Sequence, residues 1–181
     1  MGAARSRRSR LLTSIQIAAI VFAAVACATD LRNSRIPNAL TFGSLALALI
    51  VHGLLPQGLG WGHALLGILA GGAIFFPFFA LGGMGAGDVK LMAALGAWLG
   101  WQPALFIAMY GAAAGGVLAI VVALASGYLR QAFANLGRLL MHWRIVGVEP
   151  LPDLTLEHAR GPRLAYAVPI FIGLLVTLWR S

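Results

Sequence analysis

Acidic residues are nearly missing from this chain. Of 181 residues only five are Asp or Glu: Asp30, Asp88, Glu149, Asp153 and Glu157. Charge of either sign is scarce, at 10% of residues against about 25% in an ordinary soluble domain. A chain so poor in charge has too little polar surface to face water on all sides. Cysteine is rarer still. Cys27 stands alone, which excludes an intramolecular disulfide and any zinc site built on cysteine pairs, and leaves Cys27 as a small apolar residue on a helix face. The four histidines show no HExxH or similar spacing, so no metal is expected. Internal repeats and low-complexity tracts are absent too.

What the chain does have is apolar length. Hydrophobic residues make up 60% of it, and mean hydropathy is +0.89. Apolar runs recur at about 20 residues, the length that crosses a bilayer. The expected fold is an all-α integral membrane protein, a bundle of about six transmembrane helices with a cytoplasmic amphipathic segment. A basic tail, 1–10, precedes a single membrane domain over 11–181. Its spans are expected at about 11–29, 39–55, 61–81, 89–101, 104–127 and 163–179, with a polar loop over 128–162. Within that loop, YLRQAFANLGRLLMHWRIV carries Arg130, Arg138 and Arg144 at helical spacing among apolar residues, the pattern of a helix lying in the membrane surface. AVACA, in the first span, mimics a signal-peptide cleavage site. The span is nevertheless expected to stay, since it runs straight into a polar segment that looks functional.

The net charge of +8 does not indicate nucleic acid, because the basic residues flank apolar segments instead of forming one stripe. The lipid bilayer is their expected partner. With six crossings, the loops holding Asp30, Asp88 and residues 128–162 fall on one side, together with eight of the thirteen basic residues. The positive-inside rule places that side in the cytoplasm, although the arginines of the tail argue the other way.

Asp30 and Asp88 are the only acids near the spans, and each is expected at the end of one. Ionisable groups at such places are costly and are functional candidates by default. Two carboxyls brought together do not both ionise easily, so one keeps a proton and the other loses it, an acid and a base at one site. The segment GGMGAGDVKLMAALG sets glycines 82, 83, 85 and 87 ahead of Asp88. Glycine admits backbone angles closed to other residues, which predicts a break from helix there and close approach of a peptide. DLRNSRIPN reads as a loop, with Pro37 stopping the helix before it and Asn38 free to cap the next. On the residues alone three readings stay open: a catalytic pair, a proton relay or transport site, and polar termini paired with Lys90 or Arg32. Lys90 either supports the site, orienting Asp88 or holding substrate carbonyls, or snorkels to the interface.

GMGAGDVKLMAALGAWLGWQ resembles the second active-site segment of the type IV prepilin peptidases, membrane aspartic proteases of the GxGD type. DLRNSRIPNALTF resembles their first, and the aspartates of the two stand 58 residues apart. The resemblance runs from about residue 12 through YAVPIFIG in the last apolar segment. It implies that Asp30 and Asp88 are the catalytic pair and that Gly85 and Gly87 are the glycines of the motif. It further implies no metal or cofactor, a prepilin or pseudopilin substrate with a basic leader, and cleavage at the cytoplasmic face of the inner membrane. Larger members carry an added domain with cysteine pairs and also methylate the new N-terminus. This chain lacks both the cysteines and the length, and resembles the short peptidase-only members of tight-adherence (Flp) pili. Ala86 stands where larger members often have an aromatic residue. Presenilin-type proteases pair GxGD with a Tyr-Asp motif, whereas Ala28 and Thr29 precede Asp30 here.

Overall fold

The computed structural model describes residues 2–54, 60–149 and 165–180, with side chains from Thr13 onward. Among these residues there are seven helices and no strand: α1 (Gly2–Asn33), α2 (Asn38–Leu54), α3 (Trp61–Ala80), α4 (Ala86–Leu99), α5 (Trp101–Ala125), α6 (Leu129–Ile145) and α7 (Ala167–Arg180). Thr13–Asn33 of α1, together with α3 and α5, is long and apolar enough to cross a membrane, while α2 and α7 are shorter apolar helices. The fold is that of an all-α membrane protein.

Helix α4 is the centre of the bundle. It touches α1, α2, α3, α5 and α7, and Leu91, Met92, Ala94, Leu95 and Ala97 on it are fully buried. Its 14 residues rise about 21 Å, short of the roughly 30 Å hydrocarbon core. Small residues explain how other helices come so close. A Cβ on Gly67 would fall on the carbonyl of Gly96, and one on Gly96 would fall on the carbonyl of Gly67. Helices α3 and α4 therefore meet backbone to backbone, a packing that only glycine permits and that suits helices in lipid. The outward faces are apolar instead: Leu69 is 66% exposed and Val117 63%. In a soluble protein so much exposed apolar surface would be a liability. Against acyl chains it is the expected dress.

Several boundaries differ from the sequence reading, among them the join of α4 to α5, where Gly100 alone separates helices expected to end at 101 and to start at 104. The first helix was expected to end at Asp30, with DLRNSRIPN as loop. It runs on to Asn33, because nothing from Asp30 to Asn33 breaks a helix and the N–H of Ser34 closes the last turn on the carbonyl of Asp30 at 2.7 Å. Only residues 34–37 connect to α2, with Ser34 in the left-handed region (φ 51°) and Pro37 barring helix at Ile36. The basic residues of the tail belong to the same helix. Asn38 does not act as the cap foreseen for it. Its side-chain oxygen accepts from Nζ of Lys90 at 2.9 Å, while the N–H groups of Leu40 and Thr41 close on the carbonyl of Pro37. Helix α4 starts at Ala86 and not at Val89, so Asp88 stands in its first turn. The far end of the polar loop, from residue 150 on, lies outside the described residues.

Candidate active site

At the end of the bundle where α1 stops and α4 starts, a pocket of about 820 Å³ opens. Asp30, Asp88, Gly85, Gly87 and Lys90 all line it, so the structure brings every candidate residue to one place. Asn33, Ser34, Arg35 and Asn38 complete its polar wall.

The two carboxyls meet different surroundings. Asp88 is 9% exposed, and its N–H closes the first turn of α4 on the carbonyl of Gly85 at 3.1 Å. Its carboxyl is thus held at the N-terminal end of the short central helix, largely closed off from solvent. Asp30 is the more open of the two, on the last turn of α1. Its Oδ2 accepts from the backbone N–H of Ala167 at 3.4 Å. The pocket thus holds two carboxyls, one buried and one more open, the kind of pair that acid–base hydrolysis uses.

The glycines act through space. Neither Gly85 nor Gly87 has a positive φ: Gly85 is extended (φ −75°, ψ 145°) and Gly87 is helical. The left-handed angle of this segment belongs to Gly82 (φ 74°), which ends the turn after α3. A Cβ on Gly87 would press the Ile36 side chain at 3.3 Å, and one on Gly85 would press Oδ2 of Asp88 at 3.3 Å. The expectation of special backbone angles at these two positions is corrected accordingly. They are small because the pocket wall and the Asp88 carboxyl lie against them.

Lys90 does not choose between its two sequence readings so much as add a third. Besides donating to Asn38, its ammonium stands 5.3 Å from the centre of the Phe42 ring. It ties the start of α4 to the start of α2. His52, on the same α2, is buried away from the pocket with Nε2 2.9 Å from the carbonyl oxygen of Trp98. No group of three or more His, Cys, Asp or Glu suited to a metal occurs among the described residues.

The sequence reading missed the start of α7. Ala165 lines the pocket, the Ala167 N–H holds Asp30, and Tyr166 lies within electrostatic reach of Asp88, whose charge adds to burial in pushing the phenol up. The Tyr166 ring is wedged between helices: edge-on to Phe75 of α3 at 6.1 Å, and so close to α5 that a Cβ on Gly115 would stand 3.0 Å from its hydroxyl. Pro169, in the first turn of α7, was the available signal. Proline there marks a helix start, where amides have no helical partner and can donate elsewhere.

Residues 17–120, more than half of the chain, match the type IV leader peptidase family. The chain belongs to that family. Similarity to individual members extends further along it. A prepilin leader peptidase/N-methyltransferase of Aeromonas hydrophila is 34% identical over 159 residues, covering 83% of this chain and 46% of that protein. A prepilin leader peptidase/N-methyltransferase of Aeromonas salmonicida (strain A449) is 35% identical over 102 residues, covering 50% of this chain and 33% of the relative. The chain therefore spans less than half the length of the curated relatives it matches. No solved structure matches it at a significant level. Both aspartates and both motif glycines fall inside the stretch that matches the family.

Proposed function

We propose that this chain is a membrane-embedded aspartic endopeptidase that removes the basic leader from type IV prepilins or pseudopilins of the Flp kind. The observation that carries the reading is the sharing of one pocket by Asp30 and Asp88, the second buried and the first more open. In the proposed reaction a water sits between the two carboxyls and the scissile carbonyl. Asp30 takes a proton from the water as its oxygen bonds to the carbonyl carbon, and Asp88 gives its proton to the carbonyl oxygen. The tetrahedral intermediate then collapses. The C–N bond breaks, the leaving nitrogen gains the proton held by Asp30, and Asp88 recovers its own from the hydroxyl. Proton transfer by positioned groups is worth about 10²–10⁴ in rate for each such step.

The site is taken to face the cytoplasm from the inner membrane. Six crossings, with α4 as the short one, put the pocket and the arginines of α6 on one side, and the excess of basic residues there supports the orientation. Gly85 and Gly87 leave room for substrate backbone beside Asp88, and Lys90 supports the site by fixing α4 to α2. A metal or cofactor has no step in this scheme.

The direct test is purified protein in proteoliposomes with a synthetic prepilin whose leader is intact. Mass spectrometry should find one new N-terminus at the leader junction, formed in the presence of a chelator. If the peptide stays whole while a homologous peptidase cuts it under the same conditions, the reading is wrong.

A further inference from the structure

Helix α6 is built for a surface that the rest of the bundle does not supply. It has no buried residue among the described ones, unlike every other helix. Its starting point is fixed. Helix α5 has 25 residues and rises about 37 Å, enough to carry the chain through the roughly 30 Å hydrocarbon core to its edge. There the N–H of Tyr128 bonds the carbonyl of Ala123 at 2.9 Å and Gly127 adopts φ 67°, a closure that ends the helix and turns the chain sharply. Asn135 donates to the Tyr128 hydroxyl at 3.0 Å and accepts from Gln131 at 3.1 Å, tying the first two turns of α6 to that corner.

From this corner runs a narrow apolar stripe. Phe133, Leu136 and Leu140, spaced three and four apart and so on one face, are 66%, 49% and 52% exposed. Arg130, Arg138 and Arg144 are all exposed on the same helix, which contains no acid at all. Arginine's planar fork matches phosphate oxygens, and three cations on a helix without an acid, beside an apolar stripe, complement a layer of anionic phosphates above acyl chains. A protein partner would have to bring its own acids. The membrane edge is already there, at the end of α5.

We propose that α6 lies in the plane of the bilayer surface and gathers anionic phospholipid headgroups through Arg130, Arg138 and Arg144, with Phe133, Leu136 and Leu140 dipped among the acyl chains. Each arginine at an anionic leaflet favours the bound state about fivefold. The association weakens with salt, and it does not depend on the catalytic reading of the aspartates.

The experiment uses the full chain as Cys27→Ser, carrying one spin label at a time through Gln131→Cys, Phe133→Cys, Leu136→Cys or Leu140→Cys. Each is placed in nanodiscs of phosphatidylcholine alone or of phosphatidylcholine with phosphatidylglycerol. Collision rates with oxygen, which partitions into lipid, and with an aqueous nickel chelate report where each label sits. With phosphatidylglycerol, the labels at 133, 136 and 140 should favour oxygen and the label at 131 the chelate. The embedded fraction should rise several-fold over phosphatidylcholine, and Arg130→Gln, Arg138→Gln and Arg144→Gln together should abolish that rise. High salt on the unaltered arginines should do the same, so a poorly folding triple variant does not remove the test. Equal embedding in both lipids would refute the headgroup selectivity. A stripe open to the chelate in both would refute the surface placement, and so would one shielded from both reagents, since protein would then cover it.

Discussion

The backbone N–H of Ala167 reaches Oδ2 of Asp30 at 3.4 Å, joining the start of α7 to the last turn of α1 across 137 residues of sequence. Whatever Asp30 does in the pocket, it does held from the far end of the chain. Ala167→Pro removes this donor at the first position of a helix, where proline's backbone angle is accepted, and Ala167→Gly, which keeps the donor and loosens the same buried site, is the packing control. Loss of the donor should lower kcat about tenfold, the rate equivalent of roughly 1.4 kcal/mol, with expression and membrane insertion retained. Unchanged turnover in Ala167→Pro would show that the bond is incidental.

Tyr166 is clamped rather than free, and the clamp can be moved from a distance. Gly115 sits on α5 outside the pocket, and any side chain there pushes on the Tyr166 ring. Gly115→Val should therefore reduce kcat with little change in KM, whereas Gly116→Val, where a Cβ meets nothing within 4 Å, should leave both alone. Equal behaviour of the two variants would separate Tyr166 from the chemistry.

How much of this was legible in the sequence depends on the range of the interaction. The apolar runs, the two lone acids and the glycines before Asp88 are local features, and each lies where the chain was expected to put it, within a helical turn or so. The helix ends moved because Asp30 and Ala86 carry no breaker, so helix continues through them until Ser34 and Gly85 stop it. The glycines were legible as glycines but not for their reason. Their neighbours are Ile36, distant in sequence, and the Asp88 carboxyl, and nothing in GGMGAGD announces a packing contact with a residue about fifty positions earlier. The contribution of α7 was not legible at all, since Ala167 is an unremarkable residue that matters through its backbone.

That packing account changes what substitution at Gly87 should do. Gly87 is helical with an ordinary φ, so alanine improves helix propensity by up to about 1 kcal/mol while its methyl group presses Ile36. Gly87→Ala should hold or raise thermal stability and lower cleavage modestly, and Gly87→Val should lower it further. Trimming the neighbour, as Ile36→Ala with Gly87→Ala, should restore part of the loss. The reading fails if the second change restores nothing.

The proposed division of labour carries a pH response. Two carboxyls that share a pocket do not both ionise easily, and the proposed reaction needs one of them protonated, so cleavage should fall once pH is high enough to remove that proton. A kcat/KM profile from pH 5 to 9 in proteoliposomes should show an alkaline limb. A flat profile up to pH 9 would take the donor role away from Asp88.

Orientation can be read with cysteines. In a Cys27→Ser background, Arg35→Cys and Thr155→Cys should both resist an impermeant reagent in intact cells and react after permeabilisation. Labelling of both from outside would mean that the arginines of the N-terminal segment had decided the topology.

The account rests most heavily on the claim that both carboxyls do the chemistry. Co-expression of a cognate prepilin with Asp30→Asn, and separately with Asp88→Asn, tests it in one gel. Asparagine keeps the shape of each side chain and removes its ability to exchange a proton, so each variant should accumulate in the membrane at normal levels and leave the prepilin at its full, uncut mobility. Mature pilin produced by either variant at the wild-type rate would contradict the account.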